Sequence, residues 1–277
     1  MNEQIRPEIV VGFDVETSSW DEQASFGEQE RHFKAGHPCH QDHKQAAGHV
    51  CAIGYAVFRK KDAESQVYIA EGPISKVIKL PTHERIAEQA FRVHGIADDD
   101  CAAGERFDIA IKPIVSLLRQ GAEIVSHNLA HETLVLCREI QKQSLHDLPQ
   151  LSEADAAMLL SSLYNGHCTL LLAKKRNNGY WRKLSEEFRD CFGQDACTFE
   201  DHNPGHDAAK SARLFLHYIG ADITTVSTAA DHRQEPPHKK AKQASIDGGD
   251  DTVSLKYFSD YCSIKEEQDN DDKVMGE

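Results

Sequence analysis

The chain has 277 residues and a formal net charge of −14, with 45 Asp and Glu against 31 Lys and Arg. That balance excludes a protein that coats nucleic acid through a broad basic surface, and no apolar run approaches the ~20 residues needed to span a bilayer. The eight cysteines follow no regular framework and read as free thiols of a reducing compartment. The polar opening, Met1 to Pro7, agrees with an intracellular protein.

Ile9 to Val15 is a short, β-branched apolar run, predicted to be a buried central strand ending in acids. From Thr17 the chain turns polar, and residues 17–49 form an insertion longer than ordinary loops. Its run from Gly36 to His43, with His49 and Cys51 beyond, collects zinc-type donors at a spacing that matches no standard finger. It is expected to be a polar insertion at the rim of a site. Val50 to Arg59 and Gln66 to Ala70 read as a strand hairpin. Thr82 is a candidate N-cap for a helix ending near Val93. Phe107 to Gln120 reads as another helix, with Pro113 kinking it or marking a later start.

Ala122 to Ser126 reads as a fourth strand. Helices are expected over Leu129–Lys142, Ser152–Leu163, Trp181–Phe192 and Gly205–Tyr218. The last of these carries Ala208, Ala212, Phe215 and Leu216 on its inner side. The pattern predicts one α/β domain over residues 1–222, a mixed central sheet flanked by helices. Residues 223–277 are expected to be a disordered charged tail. Lys239, Lys240 and Lys242 in it resemble a short nuclear import signal.

Three short segments carry the chemistry. Asp14 and Glu16 end the first strand, and alternation puts them on one face. Two carboxylates side by side repel unless a cation lies between them, and hard oxygen donors suit Mg²⁺ or Mn²⁺. His127-Asn128-Leu129-Ala130-His131-Glu132 passes from strand to helix. Asn128 or Ser126 is the expected cap, and Glu132 suits the helix dipole of the early turns. His202-Asn203-Pro204-Gly205-His206-Asp207 opens the last helix. A loop histidine there can act as a general base. Lys175 and Arg176 with Trp181 interleave cations and an aromatic ring, a pattern that can meet phosphates and stack a base.

The order and spacing of these segments resemble the DEDDh family of 3′–5′ exonucleases, which includes the epsilon proofreading subunit, RNase T and oligoribonuclease. Cys51-Ala52-Ile53-Gly54-Tyr55-Ala56, Val93-His94-Gly95-Ile96, Cys168-Thr169-Leu170 and Lys183-Leu184 are similar to further family positions. The likeness covers roughly residues 8 to 219. It implies an RNase H-like fold and two divalent ions, Mg²⁺ or Mn²⁺, held by Asp14, Glu16 and Asp207, with Glu132 as the remaining carboxylate. It implies His202, five residues before Asp207, as the base that deprotonates the attacking water. The implied substrate is a single-stranded DNA or RNA 3′ end, and the implied products are nucleoside 5′-monophosphates. Thr17, His127 and Asn128 join Lys175, Arg176 and Trp181 as candidate nucleic-acid contacts.

The sequence departs from the family at Glu132, where Asp is usual. The alternative is therefore a non-catalytic exonuclease-fold module that binds nucleic acid or a polymerase partner, the latter through the tail. DNA proofreading and RNA trimming stay equally open.

Overall fold

The computed structural model describes residues 6–19, 48–145, 149–180, 182–193 and 202–225. Most of the 17–49 insertion lies outside the described residues, as do Trp181 and the tail with Lys239, Lys240 and Lys242. The partner and nuclear-import readings that rest on the tail therefore fall outside them too.

The sheet is built around β1 (Ile9–Thr17). It pairs antiparallel with β2 (Val50–Lys60) and parallel with β4 (Glu123–Ser126). β2 pairs antiparallel with β3 (Val67–Val77), while β5 (His167–Cys168) and β6 (Asp222–Thr225) add parallel edges to β4 and β3. The order is β5-β4-β1-β2-β3-β6. Three antiparallel strands followed by parallel ones, with helices on both faces, make the mixed RNase H-like sheet expected from the sequence.

Alternation along β1 divides the core. Ile9, Val11, Phe13 and Val15 face a layer that includes Phe107, Ile111, Ile114, Leu136 and Leu159. These belong to or adjoin α3 (Phe107–Ala110), α4 (Lys112–Arg119), α5 (Leu129–Leu145) and α6 (Glu153–Tyr164). Val10, Ala56, Phe58 and Tyr68 face α9 (Pro204–Tyr218) through Ala209, Ala212, Phe215 and Leu216. Each fully buried Val, Leu, Ile or Phe side chain among these contributes about 1.5–3 kcal/mol.

Two strand glycines bring α9 unusually close. A Cβ on Gly12 would lie 2.0 Å from the carbonyl oxygen of Ala208, and one on Gly54 would lie 1.9 Å from the backbone of Pro204. The helix start therefore rests directly on β1 and β2, and Asp14 is registered opposite Gly54. Any side chain at either glycine would lift the helix from the acids.

Several boundaries differ from the sequence reading. The helix expected from Thr82 starts six residues later, as α1 (Glu88–His94). The backbone before it is drawn into tertiary bonds instead: Ala87 N–H to Ser18 O at 2.7 Å and Ile86 N–H to Asp98 Oδ1 at 2.8 Å. A short α2 (Asp98–Ala102) follows, its start held by Asp100 accepting from Ala97 N–H at 2.8 Å. The helix expected over 107–120 is split into α3 and α4, with Pro113 in the first turn of α4, where a missing N–H costs nothing.

β3 runs on to Val77 through Gly72-Pro73, beyond the end expected at Ala70. Among the described residues β6 pairs with Val67 to Ala70 of β3 and stops short of Pro73, where a missing N–H is tolerated. α7 (Thr169–Arg176) and β5 are not expected as elements from the sequence, where the stretch offers the Cys168-Thr169-Leu170 likeness and the cations Lys175 and Arg176. α8 (Leu184–Phe192) begins three residues after the expected Trp181. The sheet itself continues to Thr225, past the boundary drawn at 222 from composition. No helix among the described residues is long and apolar enough to cross a membrane.

Candidate active site

Four acids reach one cleft from three places in the fold. Asp14 and Glu16 project from the end of β1. β4 runs parallel beside β1, with Val125 opposite Gly12, so α5 starts next to those acids and carries Glu132 in its first turn. Asp207 lies in the first turn of α9. Asn203 caps that helix by accepting from His206 N–H at 3.2 Å, and Ser75 of β3 donates to the same Asn203 oxygen at 2.7 Å. Gly205 N–H donates to Ser75 Oγ at 3.0 Å, which ties the helix start to the sheet.

His202 stands just before the cap with φ 59°, a left-handed conformation that His tolerates better than most residues. Its backbone N–H donates to Asp207 Oδ2 at 3.1 Å. A cleft of about 280 Å³ is lined by Asp14, Glu16, Glu132, Asp207 and His202, with Thr17, Val93 and His131 completing the wall. His206 is not among the lining residues, so the structure places His202 rather than His206 at the acids.

The electrostatics are those of crowded anions. Burial pushes the Asp14 carboxyl well above the usual carboxylate range; Glu132, Glu16 and Asp207 add to it, and Lys210 opposes it. Glu16 is pushed up to about 8, first by burial and then by Asp207. Glu132 is raised well above its ordinary value by burial and Glu16, against the Val15 amide and the Ser126 hydroxyl. Asp207 is raised by burial, although Lys210 and His202 pull it down. Lys210, 1% exposed, holds its Nζ 2.9 Å from Asp207 Oδ1. Among the described residues Lys210 acts on Asp14 and Asp207 but not on Glu16 or Glu132, so protons or metal cations must balance the rest.

Glu132 is 3% exposed, and among the described residues its Oε2 has no hydrogen-bond partner. An acceptor buried without a donor is costly, and a cation would satisfy it. The residues present thus fit a divalent-ion site, although no three of the acids bring donor atoms within 4.8 Å of one another. Small side-chain rotations would have to gather them around ions.

The titration sets a stability signature. Glu16 has an ordinary value of 4.5 and a folded value of about 8, so the folded chain keeps a proton that the unfolded chain releases. The associated stability is complete below pH 4.5 and is lost as pH rises through 8. In EDTA, thermal melting is expected to fall across this window, by on the order of a few kcal/mol in stability. Mn²⁺ is expected to restore melting more at the alkaline end than at the acid end. A pH-independent melting temperature in EDTA would contradict the crowding.

The candidate nucleic-acid contacts are scattered. Thr17 lines the cleft and donates to Ser19 O at 3.1 Å. His127 uses both ring nitrogens within the protein, Nδ1 with Thr169 Oγ1 at 3.0 Å and Nε2 with Arg182 O at 3.1 Å. Burial pushes it down to about 4 despite the Arg182 contact, so it is the neutral ring that donates to the carbonyl. Among the described residues no backbone N–H donates to Asn128 Oδ1 or Ser126 Oγ, so neither forms the cap expected of it. Lys175 and Arg176 lie exposed in the last turn of α7, outside the residues that line the cleft.

Sequence reasoning missed His131, Val93 and Lys210. His131 is pushed down to about 4 by burial and by Arg138, so it lines the cleft as a neutral ring. It sits beside Glu132 in a quoted motif, and Lys210 follows Asp207 by one helical turn. Both signals were present but resemble ordinary helix residues.

No protein-family model and no curated protein matches the chain. Solved structures do. The nuclease domain of 3'hExo, a DEDDh family member bound to rAMP, superposes with a TM-score of 0.50 at 10% identity, covering 77% of this chain and 92% of that one. A full-length 3'-exonuclease gives 0.48 at 11% identity over 77% of this chain, which spans 61% of that protein's length. Exonuclease X in complex with 5' overhanging duplex DNA gives 0.41 at 14%, covering 76% of this chain and 91% of that one. At such identities the likeness to the 3'hExo domain concerns the fold.

Proposed function

We propose that the cleft between β1, α5 and α9 is the active site of a metal-dependent 3′–5′ exonuclease of the DEDDh type. The observation that carries the reading is the meeting of Asp14, Glu16, Glu132, Asp207 and His202 in one cleft. Asp14, Glu16 and Asp207 would hold two divalent ions, Mg²⁺ or Mn²⁺, with Glu132 completing the acidic set. Bound there, such ions stabilise the attacking and leaving oxygens of a phosphodiester displacement.

The chain's own residues have separable tasks. His202 stands at the mouth of the acids and takes the proton from the attacking water. Its backbone is tethered to Asp207, so the base and a metal ligand move together. Val93 and Thr17 form the wall against which a terminal nucleotide rests. Buried acids in a small cleft admit a strand end more readily than a duplex interior, which supports a single-stranded DNA or RNA 3′ terminus as substrate. Nucleoside 5′-monophosphates are the products that follow.

Glu132 favours a second reading, a binding module of the same fold, because glutamate adds a methylene where the family has aspartate. Its unsatisfied oxygen supports a ligand role instead. Glu132→Asp is expected to retain Mg²⁺-dependent activity or raise it a few-fold, since the shorter side chain restores the family's ligand. Complete loss would mean that the site is built around glutamate.

The test of the reading is incubation of 5′-labelled single-stranded DNA and RNA with Mg²⁺, Mn²⁺ or EDTA. A metal-dependent ladder that shortens from the 3′ end supports it. Intact strands with both metals, from folded protein that still binds them, would favour the module.

A further inference from the structure

A second group of metal-type side chains stands behind the acidic cleft, one residue beyond Thr17. His49 is 4% exposed, and its Nδ1 lies 3.2 Å from Oε2 of Glu139, which is also 4% exposed. The Glu139 carboxylate accepts from the Val50 amide at 3.0 Å and from Gln143 Nε2 at 3.1 Å. On the other side, Ser18 donates to Glu84 Oε1 at 2.7 Å and accepts from the His49 amide at 2.9 Å.

His49, His83 and Glu84 each offer a donor atom, and the three atoms lie within 4.8 Å of one another. Among the described residues no other trio of His, Cys, Asp or Glu does so. His49, His83, Glu139 and Gln143 line a cavity of about 440 Å³; Glu84 lies outside its lining and would reach the ion from the side of Ser18.

Two imidazoles and a carboxylate are a zinc donor set, with water as the fourth ligand. Imidazole argues against Mg²⁺ or Ca²⁺, which prefer oxygen throughout. Tetrahedral donors at 2.0–2.1 Å from zinc stand about 3.4 Å apart. Inward rotation of exposed His83 and part-buried Glu84 would close that gap. A carboxylate behind one ring nitrogen is what fixes the tautomer and orientation of metal-binding histidines. Glu139 provides it at Nδ1, which directs Nε2 of His49 to the ion.

We propose that His49, His83 and Glu84 form a zinc site with water as the fourth ligand, with Glu139 and Ser18 orienting two of the protein ligands. Its position gives it a task. Ser18 N–H donates to His49 O at 2.8 Å, and Ala87 N–H donates to Ser18 O at 2.7 Å. An ion joining His49 to residues 83–84 closes a ring around Ser18 and so pins the end of β1 that carries Glu16 and Thr17. The site is separate from the four acids and stands whether or not they hydrolyse nucleic acid.

The full chain, with any affinity tag removed, is loaded with Zn²⁺, desalted and analysed for metal by mass spectrometry. About one zinc per chain is expected to stay with the wild type and with an Asp14→Asn/Asp207→Asn variant. A His83→Ala/Glu84→Gln variant is expected to lose it while keeping its circular dichroism, since His83 is exposed and glutamine keeps the shape of part-buried Glu84 and can still accept from Ser18. Co²⁺ in place of Zn²⁺ should give the strong visible absorption of a tetrahedral ion, absent from the same variant. Glu139→Gln should weaken zinc binding about 10–100-fold. An equal zinc count in wild type and His83→Ala/Glu84→Gln, or no zinc retained by wild type, overturns the proposal.

Discussion

Asp14→Asn is expected to abolish metal-dependent hydrolysis, by about 10³-fold or more, and to yield a protein that is more stable than wild type in EDTA. Asp14 is raised by burial and by three other acids at once. The amide keeps its shape and removes the charge that the other carboxyl groups repel. A gain of about 1 kcal/mol would raise the melting temperature by roughly 2–4 °C in a domain of this size.

Asp207→Asn should be equally inactive but should not share the gain. It removes the carboxylate 2.9 Å from the buried Lys210 Nζ, and breaking a buried ion pair from one side costs stability. The pair of variants therefore separates catalytic loss from folding. Activity surviving in either one, or both shifting in stability alike, would contradict the assignment of these two acids.

His202→Asn is expected to reduce turnover by about 10²–10⁴-fold, the range for losing a positioned general base. Asparagine is chosen because it tolerates the left-handed backbone at this position. The backbone bond to Asp207 Oδ2 does not depend on the side chain. Folding, metal affinity and nucleic-acid binding should therefore change little, so that the loss falls on kcat rather than KM. The matching His206→Asn change should have a much smaller effect, since His206 lies outside the cleft lining. Equal losses from the two would mean that helix integrity, not a base, is being measured.

Much of the candidate site was legible because it rests on short-range geometry. Strand alternation alone put Asp14 and Glu16 on one side, and the spacing of His202 to Asp207 placed a loop group before a helix-start acid. What could not be read was the convergence. It depends on Gly12 and Gly54 letting α9 settle on the sheet, a close approach visible only once β1, β2 and the helix are assembled.

The misread elements have a common cause. α1 starts late because Ser18 and Asp98, distant in sequence, take its upstream amides. β3 outlasts Gly72-Pro73 because β6 stops short of Pro73, where a missing N–H is tolerated. His127 had the look of a substrate contact, but its ring is consumed by Thr169 and Arg182 from elements that follow it by more than forty residues. Such tertiary partners leave no local pattern.

The central claim is that water attacks the last phosphodiester of a strand in this cleft. The most direct measurement is digestion of a single-stranded oligonucleotide with Mn²⁺ in ¹⁸O-labelled water, followed by mass spectrometry of the products. The expected products are free nucleoside 5′-monophosphate carrying one ¹⁸O in its phosphate and a shortened strand ending in an unlabelled 3′-hydroxyl, with no product from Asp14→Asn. Label in a strand-terminal phosphate, or no mononucleotide from folded wild-type protein, would contradict it.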